Sequence, residues 1–198
     1  MTMPLANIYP IRRIFFLGDS KTAGTLDDVT MPTVVLYHLR DRDRGIFLES
    51  PLRQGVSGTD TATTKTNIDT TLAARATSPA PDFVLINLGA NDVPTLPLQV
   101  TWEANTAYIL DAIHVKWPAT PCRLTIAWRR TYDANCDTLA TWLAAVVLPR
   151  ATWAAIGVDE RIVIKGGDDG ATMTADGTHY SEAGRQAMGV AWLAVLYP

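Results

Sequence analysis

The chain has few cysteines and few histidines. Two cysteines, Cys122 and Cys136, and three histidines stand among 198 residues. Two cysteines are too few for a disulfide scaffold, and no Cys/His cluster has the spacing of a zinc site. We therefore expect neither a metal nor another cofactor. A predicted strand at 122–128, roughly 23 Å long at about 3.3 Å per residue, separates Cys122 at its start from Cys136 in the loop beyond its other end, so we expect two free thiols.

The chain also lacks an excess of positive charge and any long apolar run. Its net charge is −3 and its pI about 5.5, with lysine and arginine scattered along the sequence. A nucleic-acid or anionic-membrane partner needs a dense basic face, so we expect neither. No segment has the apolar length of a membrane span, and residues 1–13 do not read as a signal peptide. A cytoplasmic location is the default expectation, and the oligomeric state stays open.

What is present is the composition of an ordinary globular protein. Hydrophobic residues make up 47% and charged residues 19% of the chain. No internal repeat, low-complexity run or linker-like change of composition divides the sequence. We expect residues 1–198 to form a single domain.

Strand-like and helix-like segments alternate along the whole chain. Apolar segments of strand length lie at 13–18, 45–51, 82–89, 122–128 and 161–166. Segments with helical spacing lie at 30–43, 59–76, 101–117, 137–157 and 181–197, and Pro149 predicts a kink or break in the fourth. This alternation predicts an α/β fold: a three-layer α/β/α doubly wound sheet of about five parallel strands, flavodoxin-like.

Residues that could take part in binding or catalysis follow the predicted strands. In a parallel sheet of this kind, ligands bind beyond the carboxyl ends of the strands. The residues found there, in strand order, are Ser20, then Gly55 and Gly58, then Asn91, then Arg129, Arg130 and Tyr132, and finally Asp176 and His179.

These residue types suit acyl transfer. A serine needs a base to take its proton, and a neutral imidazole oriented by a carboxylate can be that base. The negatively charged oxygen that forms needs donors, which backbone N–H groups at glycine turns and an asparagine amide can supply. Each short motif taken alone is weak evidence, because its residues are also typical of a turn or a helix cap. The ordered occurrence of all of them at strand ends favours the catalytic interpretation.

The motifs GDS (18–20), GVSGTDT (55–61), GAND (89–92) and DGTH (176–179) resemble, in this order, the four blocks of the SGNH hydrolases, also called GDSL-type esterases. The resemblance implies the doubly wound fold and a Ser-His-Asp triad of Ser20, His179 and Asp176. It also implies an oxyanion hole formed by the backbone of Ser20, the backbone of Gly58 and the side chain of Asn91. Gly55 is the alternative to Gly58.

Two positions depart from the family pattern. Lys21 follows the serine where an aliphatic residue is common, and Arg53-Gln54 stand where an asparagine is common. Neither departure removes a catalytic atom, and both bear on substrate preference.

Other polar residues have structural interpretations. His38 and His114 lie within predicted helices, and Asp92 suits a turn or a helix cap. The pair Asp168-Asp169 is more typical of a solvated loop than of a cation site. The roles of Arg129, Arg130 and Tyr132 stay open between the substrate groove and a solvated loop.

The sequence predicts a serine esterase for carboxylic esters with short acyl chains, acetyl esters of carbohydrates among them. The Gly-x-Ser-x-Gly elbow of α/β-hydrolases is absent, which favours a shallow groove and a small-molecule or carbohydrate ester. One alternative is a lysophospholipase or thioesterase of the same fold. Another is a carbohydrate-binding or phage-associated module that lost turnover.

Overall fold

The structure is a computed structural model that describes residues 13–23 and 52–196. The helix expected at 30–43 and the strand expected at 45–51 lie outside these residues.

Five parallel strands form one sheet in the described part of the chain. They are β1 (Ile14–Gly18), β2 (Leu52–Gly55), β3 (Phe83–Asn87), β4 (Cys122–Ile126) and β5 (Ala154–Asp159), arranged in the order β2-β1-β3-β4-β5. The strand order changes direction at β1, which places a switch point at the carboxyl ends of β1 and β3. The predicted α/β fold with a five-stranded parallel sheet is confirmed.

The sheet is flanked by helices. They are α1 (Ser20–Ala23), α2 (Thr61–Ala73), α3 (Gln99–Lys116), α4 (Asp133–Val147), α5 (Glu160–Val163) and α6 (Glu182–Leu196). Short 3-10 helices span Val93–Thr95, Leu148–Arg150 and Gly166–Asp168. Within residues 13–23 and 52–196, no helix combines the length and the apolar character that crossing a membrane requires.

The central strands are buried because helices cover both faces of the sheet. Every residue of β1 is buried, and Phe15 and Phe16 have no exposed surface. The last four residues of β3 are buried as well. Strands covered on both sides read as continuous apolar runs, which is why the sequence pattern locates β1, β3 and β4 so well.

The fifth strand was placed wrongly by the sequence pattern. The expected strand at 161–166 is in fact the helix α5 and the turn after it, and β5 lies seven residues earlier. Only Ala154 and Val158 of the six residues of β5 are buried, which is consistent with a strand at the edge of the sheet. Such a strand lacks the continuous apolar run by which the inner strands are recognised.

The helix expected at 137–157 is also wrong in its second half. Helix α4 ends at Val147, and Pro149 lies in the 3-10 helix that follows, so the predicted break at this proline is confirmed. The alanine-rich residues beyond it enter β5, where Gly157 packs against α6. A Cβ atom added at Gly157 would lie 2.6 Å from Cζ3 of Trp192, so the site accepts only glycine without rearrangement.

Both cysteines are free, as expected, and the structure shows that both are buried. Cys122 begins β4, and burial raises the pKa of its thiol to about 12. Cys136 lies in the first turns of α4 rather than in the expected loop, and its Sγ accepts a hydrogen bond of 3.4 Å from the backbone N–H of Arg129.

Candidate active site

Ser20 stands at the tight turn between β1 and α1. Gly18, the last residue of β1, pairs with Gly55 of β2 on one side and with Asn87 of β3 on the other. A Cβ atom at Gly18 would lie 2.6 Å from the carbonyl oxygen of Asn87 and would also overlap Thr22. The glycine therefore lets β3 and Thr22 of α1 pack closely against the end of β1, where Ser20 follows at the carboxyl edge of the sheet.

Ser20, His179 and Asp176 form a continuous line of hydrogen bonds. Nε2 of His179 lies 2.9 Å from Oγ of Ser20, and Nδ1 of His179 lies 2.6 Å from Oδ2 of Asp176. The side chain of Ser20 is buried, whereas His179 is partly exposed and about half of the Asp176 side chain faces solvent. The structure thus brings together the three residues that the sequence predicted as a triad.

Backbone N–H groups hold Asp176 in its ionised form. Its Oδ1 accepts hydrogen bonds from the backbone of Thr178 at 2.9 Å and of His179 at 2.7 Å. Partial desolvation alone would raise the pKa of Asp176. The donors from the backbone and ring of His179 and from Thr178 outweigh it and lower this pKa to about 2.

The ionised carboxylate determines the tautomer of the histidine. Because Asp176 carries no proton at neutral pH, Nδ1 of His179 must be the donor in their hydrogen bond. In a neutral ring, Nε2 is then the acceptor, and the Ser20 hydroxyl donates to it. This arrangement has the geometry of a general base that faces a nucleophile.

The histidine loop is anchored on the end of β4. The carbonyl of Gly177 accepts a hydrogen bond of 2.9 Å from the backbone N–H of Arg130, and the aliphatic part of Arg130 packs on Gly177. Gly177 has φ +82°, a conformation that favours glycine. Within the loop, Ala175 N–H donates to the carbonyl of His179 at 2.8 Å. These contacts fix the imidazole relative to the sheet.

Asn91 lies after β3 and is tied to the segment after β2. Its Nδ2 donates a hydrogen bond of 3.0 Å to the carbonyl of Thr59. An amide nitrogen has two hydrogens, so this bond fixes the side chain and leaves one N–H for another acceptor.

The two candidate glycines have different surroundings. Gly55 pairs with Gly18, and a Cβ atom there would lie 2.6 Å from Cα of Ala23, so it permits close packing of β2 on α1. Gly58 is exposed, has φ +74° and has open space where a side chain would be. Gly58 is therefore the glycine whose surroundings leave room for a substrate oxygen.

Asp92 supports this part of the site. Its carboxylate accepts hydrogen bonds from the backbone and hydroxyl of Thr61, at 3.2 and 2.8 Å, at the start of α2. Burial raises its pKa, although the hydrogen bonds from Thr61 oppose this effect. Asp92 therefore joins the end of β3 to α2, as its expected turn or cap role requires.

A buried polar network beneath the serine was missed by the sequence analysis. Glu160, fully buried, accepts hydrogen bonds from Nζ of Lys21 at 2.5 Å and from the backbone of Trp128 at 2.9 Å. It also accepts one from the hydroxyl of Tyr180, which in turn accepts a bond of 3.0 Å from Nδ2 of Asn87. The only signal in the sequence was Lys21, a charge next to the serine, whose partner lies 139 residues away.

Asp19 is buried beside this network. Its Oδ1 accepts a hydrogen bond of 2.9 Å from the backbone of Lys21, and its Oδ2 has no hydrogen-bond partner among the described residues. Desolvation raises the pKa of Asp19 to about 6, against the opposing effect of the Lys21 charge and N–H. The carboxyl therefore keeps its proton to a higher pH than an ordinary aspartate does.

The arginines after β4 make local contacts. The guanidinium of Arg129 lies 5.9 Å from the ring centre of Tyr132, and Arg130 forms an ion pair of 3.5 Å with Asp169. Asp168 caps its own loop by accepting from Thr172 N–H at 2.9 Å.

Of the other expected residues, His114 stacks on Trp153 with 4.2 Å between ring centres, as a structural histidine would, and His38 lies outside the described residues. In residues 13–23 and 52–196, no three His, Cys, Asp or Glu side chains are grouped so that they could hold a metal ion.

A comparison of the sequence with known protein families finds a match that covers these residues. The GDSL-like Lipase/Acylhydrolase family model matches residues 16–187, a range that includes all the motifs of the candidate site. The chain belongs to this family. GDSL-like lipases and acylhydrolases, also called SGNH hydrolases, are carboxylic ester hydrolases.

Solved structures share the fold of this GDSL-like hydrolase at low sequence identity. TesA is 19% identical, with a TM-score of 0.74, and the match covers 94% of this chain and 99% of TesA. A catalytic mutant of Axe2, an acetylxylan esterase from Geobacillus stearothermophilus, is 16% identical, with a TM-score of 0.75 and 94% of each chain covered. The family 3 carbohydrate esterase of Clostridium thermocellum is 18% identical, with a TM-score of 0.73 and coverage of 94% and 95%. No curated protein matches the sequence.

The buried carboxyl of Asp19 predicts a pH-dependent stability. Its folded pKa of about 6 lies above the ordinary 3.8, so the folded state binds the proton more tightly than the unfolded state does. The free energy of unfolding should therefore fall as pH rises from about 4 to about 6, by on the order of 2–3 kcal/mol from this group. Urea unfolding of the native protein and of Asp19→Asn across this range measures the effect. We expect the native protein to lose more stability than the variant, and parallel pH profiles would contradict the prediction.

The position of Asn91 predicts that its replacement by alanine or by aspartate lowers turnover to different extents. Asn91→Ala should lower kcat by about 100- to 1000-fold with KM little changed, because one donor to the oxyanion is lost. Asn91→Asp should lower kcat further, because it places an anion beside a developing anion and beside the carbonyl of Thr59. Steady-state kinetics and melting temperatures of both purified variants check this, and we expect both to fold. A normal kcat in Asn91→Ala would remove Asn91 from the oxyanion hole.

Proposed function

We propose that this GDSL-like hydrolase is a serine esterase that cleaves carboxylic esters with short acyl chains, with Ser20 as nucleophile. The observation that carries the proposal is the unbroken line from Asp176 through His179 to Ser20, with distances of 2.6 and 2.9 Å. The carboxylate is ionised and the ring tautomer presents an acceptor to the serine hydroxyl, so all three groups are ready for the first proton transfer.

The first half of the reaction acylates the serine. Oγ of Ser20 attacks the ester carbonyl carbon while Nε2 of His179 takes its proton. Asp176 remains an anion and stabilises the imidazolium. The carbonyl oxygen becomes negatively charged and is held by the backbone N–H groups of Ser20 and Gly58 and by the second N–H of Asn91. The intermediate then expels the alcohol, which receives the proton from His179.

The second half releases the acid. Water replaces the alcohol, gives its proton to Nε2 of His179 and attacks the acyl carbon, and the same donors hold the oxygen. Collapse of this intermediate breaks the bond to Oγ, and His179 returns the proton to Ser20. The products are one carboxylic acid and one alcohol, and the protein is regenerated.

A short acyl chain is supported by the openness of the triad and by the nature of the structural neighbours. About half of the Asp176 side chain and a quarter of His179 are exposed, so these two members of the triad face solvent, whereas Ser20 beside them is buried. Two proteins of the same fold are named as an acetylxylan esterase and a family 3 carbohydrate esterase. We therefore propose acetyl esters of carbohydrates as the natural substrate class.

Substrate preference is tested with p-nitrophenyl esters of increasing chain length. We expect kcat/KM to be highest for acetate and to fall as the acyl chain lengthens. A maximum at long chains, or faster cleavage of long-chain acyl thioesters, would instead favour the lysophospholipase or thioesterase alternative. No turnover of any member would favour the non-catalytic module.

The joint action of Ser20 and His179 is tested by a double substitution. Ser20→Ala and His179→Ala should each remove most of the turnover, roughly a million-fold in kcat where the triad acts as a unit. The double variant should be little slower than either single variant, because each change already disables the same proton transfer. Steady-state rates on p-nitrophenyl acetate give all three values. Losses that multiply would show that the residues act independently.

A further inference from the structure

A charged side chain lies buried directly beside the nucleophile. The side chain of Lys21 is 1% exposed and that of its partner Glu160 is fully buried, with 2.5 Å between Nζ and Oε2. The ammonium group has two further contacts, because Nζ also donates to the carbonyl of Trp128 at 2.8 Å and lies 5.2 Å from the ring centre of Tyr180. The proposed mechanism uses none of these groups.

The network connects the element that carries the serine to the loop that carries the histidine. Lys21 is the residue after Ser20, and Tyr180 is the residue after His179. Glu160 binds both, one with each carboxylate oxygen. The nucleophile and the base are therefore joined twice: once by their own hydrogen bond and once through the side chains of their neighbours.

Glu160 also ties this connection to the sheet. It follows β5 and accepts from Trp128 N–H just beyond β4, while the hydroxyl of Tyr180 accepts from Asn87, the last residue of β3. The carboxyl ends of three neighbouring strands thus hold a single carboxylate and a single phenol. Contacts from three strands restrict the movement of these two groups. Such restriction is what Ser20 and His179 need in order to stay within hydrogen-bond distance of each other.

Stability alone does not account for a buried ion pair. The cost of removing both charges from water commonly equals or exceeds their attraction, and well-packed neutral side chains are often as stable. Geometric specificity is a better explanation for such a pair, because its hydrogen bonds form in only one arrangement of the side chains.

We propose that Lys21, Glu160 and Tyr180 are positioning residues that set the distance and orientation between Ser20 and His179. The proposal rests on the proposed esterase function. It predicts that neutralising the network slows the chemical step and leaves substrate binding nearly unchanged, because none of the three side chains is part of the triad or the oxyanion hole.

The test replaces both charges at once. Lys21→Met/Glu160→Gln keeps side chains of similar length and removes both charges of the ion pair together, so we expect it to fold. Its kcat on p-nitrophenyl acetate should fall by about 10- to 100-fold, as loss of supporting contacts or small misplacements in active sites commonly cause, with KM within about twofold of the native value. A folded double variant with native kcat would show that the pair is merely structural and would overturn the proposal.

A second variant keeps the test decisive if the double variant does not fold. Tyr180→Phe removes one hydroxyl and leaves Lys21 paired with Glu160. We expect its kcat to fall by about tenfold at unchanged KM, since the connection to the histidine loop is lost. Native kcat in a folded Tyr180→Phe would overturn the proposal.

Two controls separate the possible failures. Arg150→Met/Asp111→Asn neutralises an ion pair of 2.6 Å that joins the 3-10 helix Leu148–Arg150 to α3, and it should leave kcat unchanged. A fall in kcat there equal to that of the first double variant would show that any lost ion pair has this effect and would overturn the proposal. Native protein that hydrolyses no ester would instead contradict the proposed function itself, which separates that failure from failure of the network.

Discussion

The hydrogen bond between Ser20 and His179 is the interaction on which the candidate site depends, and the fold has to bring its two partners together across the sheet. They are separated by 159 residues, and β3 and β4 lie between β1 and β5 in the sheet. The loop after β5 therefore returns over the end of β4. Two glycines make this path possible: Gly170, with φ +70°, packs on the indole of Trp128, and Gly177 packs on Arg130.

Two aspartates near the serine have pKa values shifted in opposite directions because their surroundings differ. Asp176 receives hydrogen bonds from two backbone N–H groups and an imidazole, and its pKa falls to about 2. Asp19 is fully buried with one oxygen unpartnered among the described residues, and its pKa rises to about 6. The first remains an anion that can stabilise an imidazolium throughout the physiological range. The second is a buried carboxyl whose charge depends on pH, which makes it a poor choice for that role.

The inner part of the fold and the candidate site residues could be predicted from the sequence because their signals are local. β1, β3 and β4 are apolar runs that end where polar motifs begin, and Ser20, Asn91, Asp176 and His179 stand in those motifs. The edge strand β5 could not be predicted this way, since only Ala154 and Val158 of its six residues are buried and its alanines and glycine favour neither element clearly.

The supporting contacts could not be predicted because their partners are distant in the chain. Lys21 indicates a buried charge only once Glu160 is known to lie beside it, and the error at β5 had assigned Glu160 to the loop before a strand. The bond from Asn91 to the carbonyl of Thr59 likewise involves a backbone group that no residue pattern identifies. Local motifs thus predict which residues act, whereas the contacts that hold them follow from tertiary packing.

The most direct test of the account is to identify the residue that a serine-directed fluorophosphonate modifies. The native protein is treated with the reagent, its intact mass is measured, and the modified peptide is sequenced by mass spectrometry. The account predicts a single adduct, on Ser20, and a much slower reaction in His179→Ala because the hydroxyl then has no base. An adduct on another residue, no adduct at all, or native reactivity in His179→Ala would contradict the assignment of Ser20 as a nucleophile activated by His179.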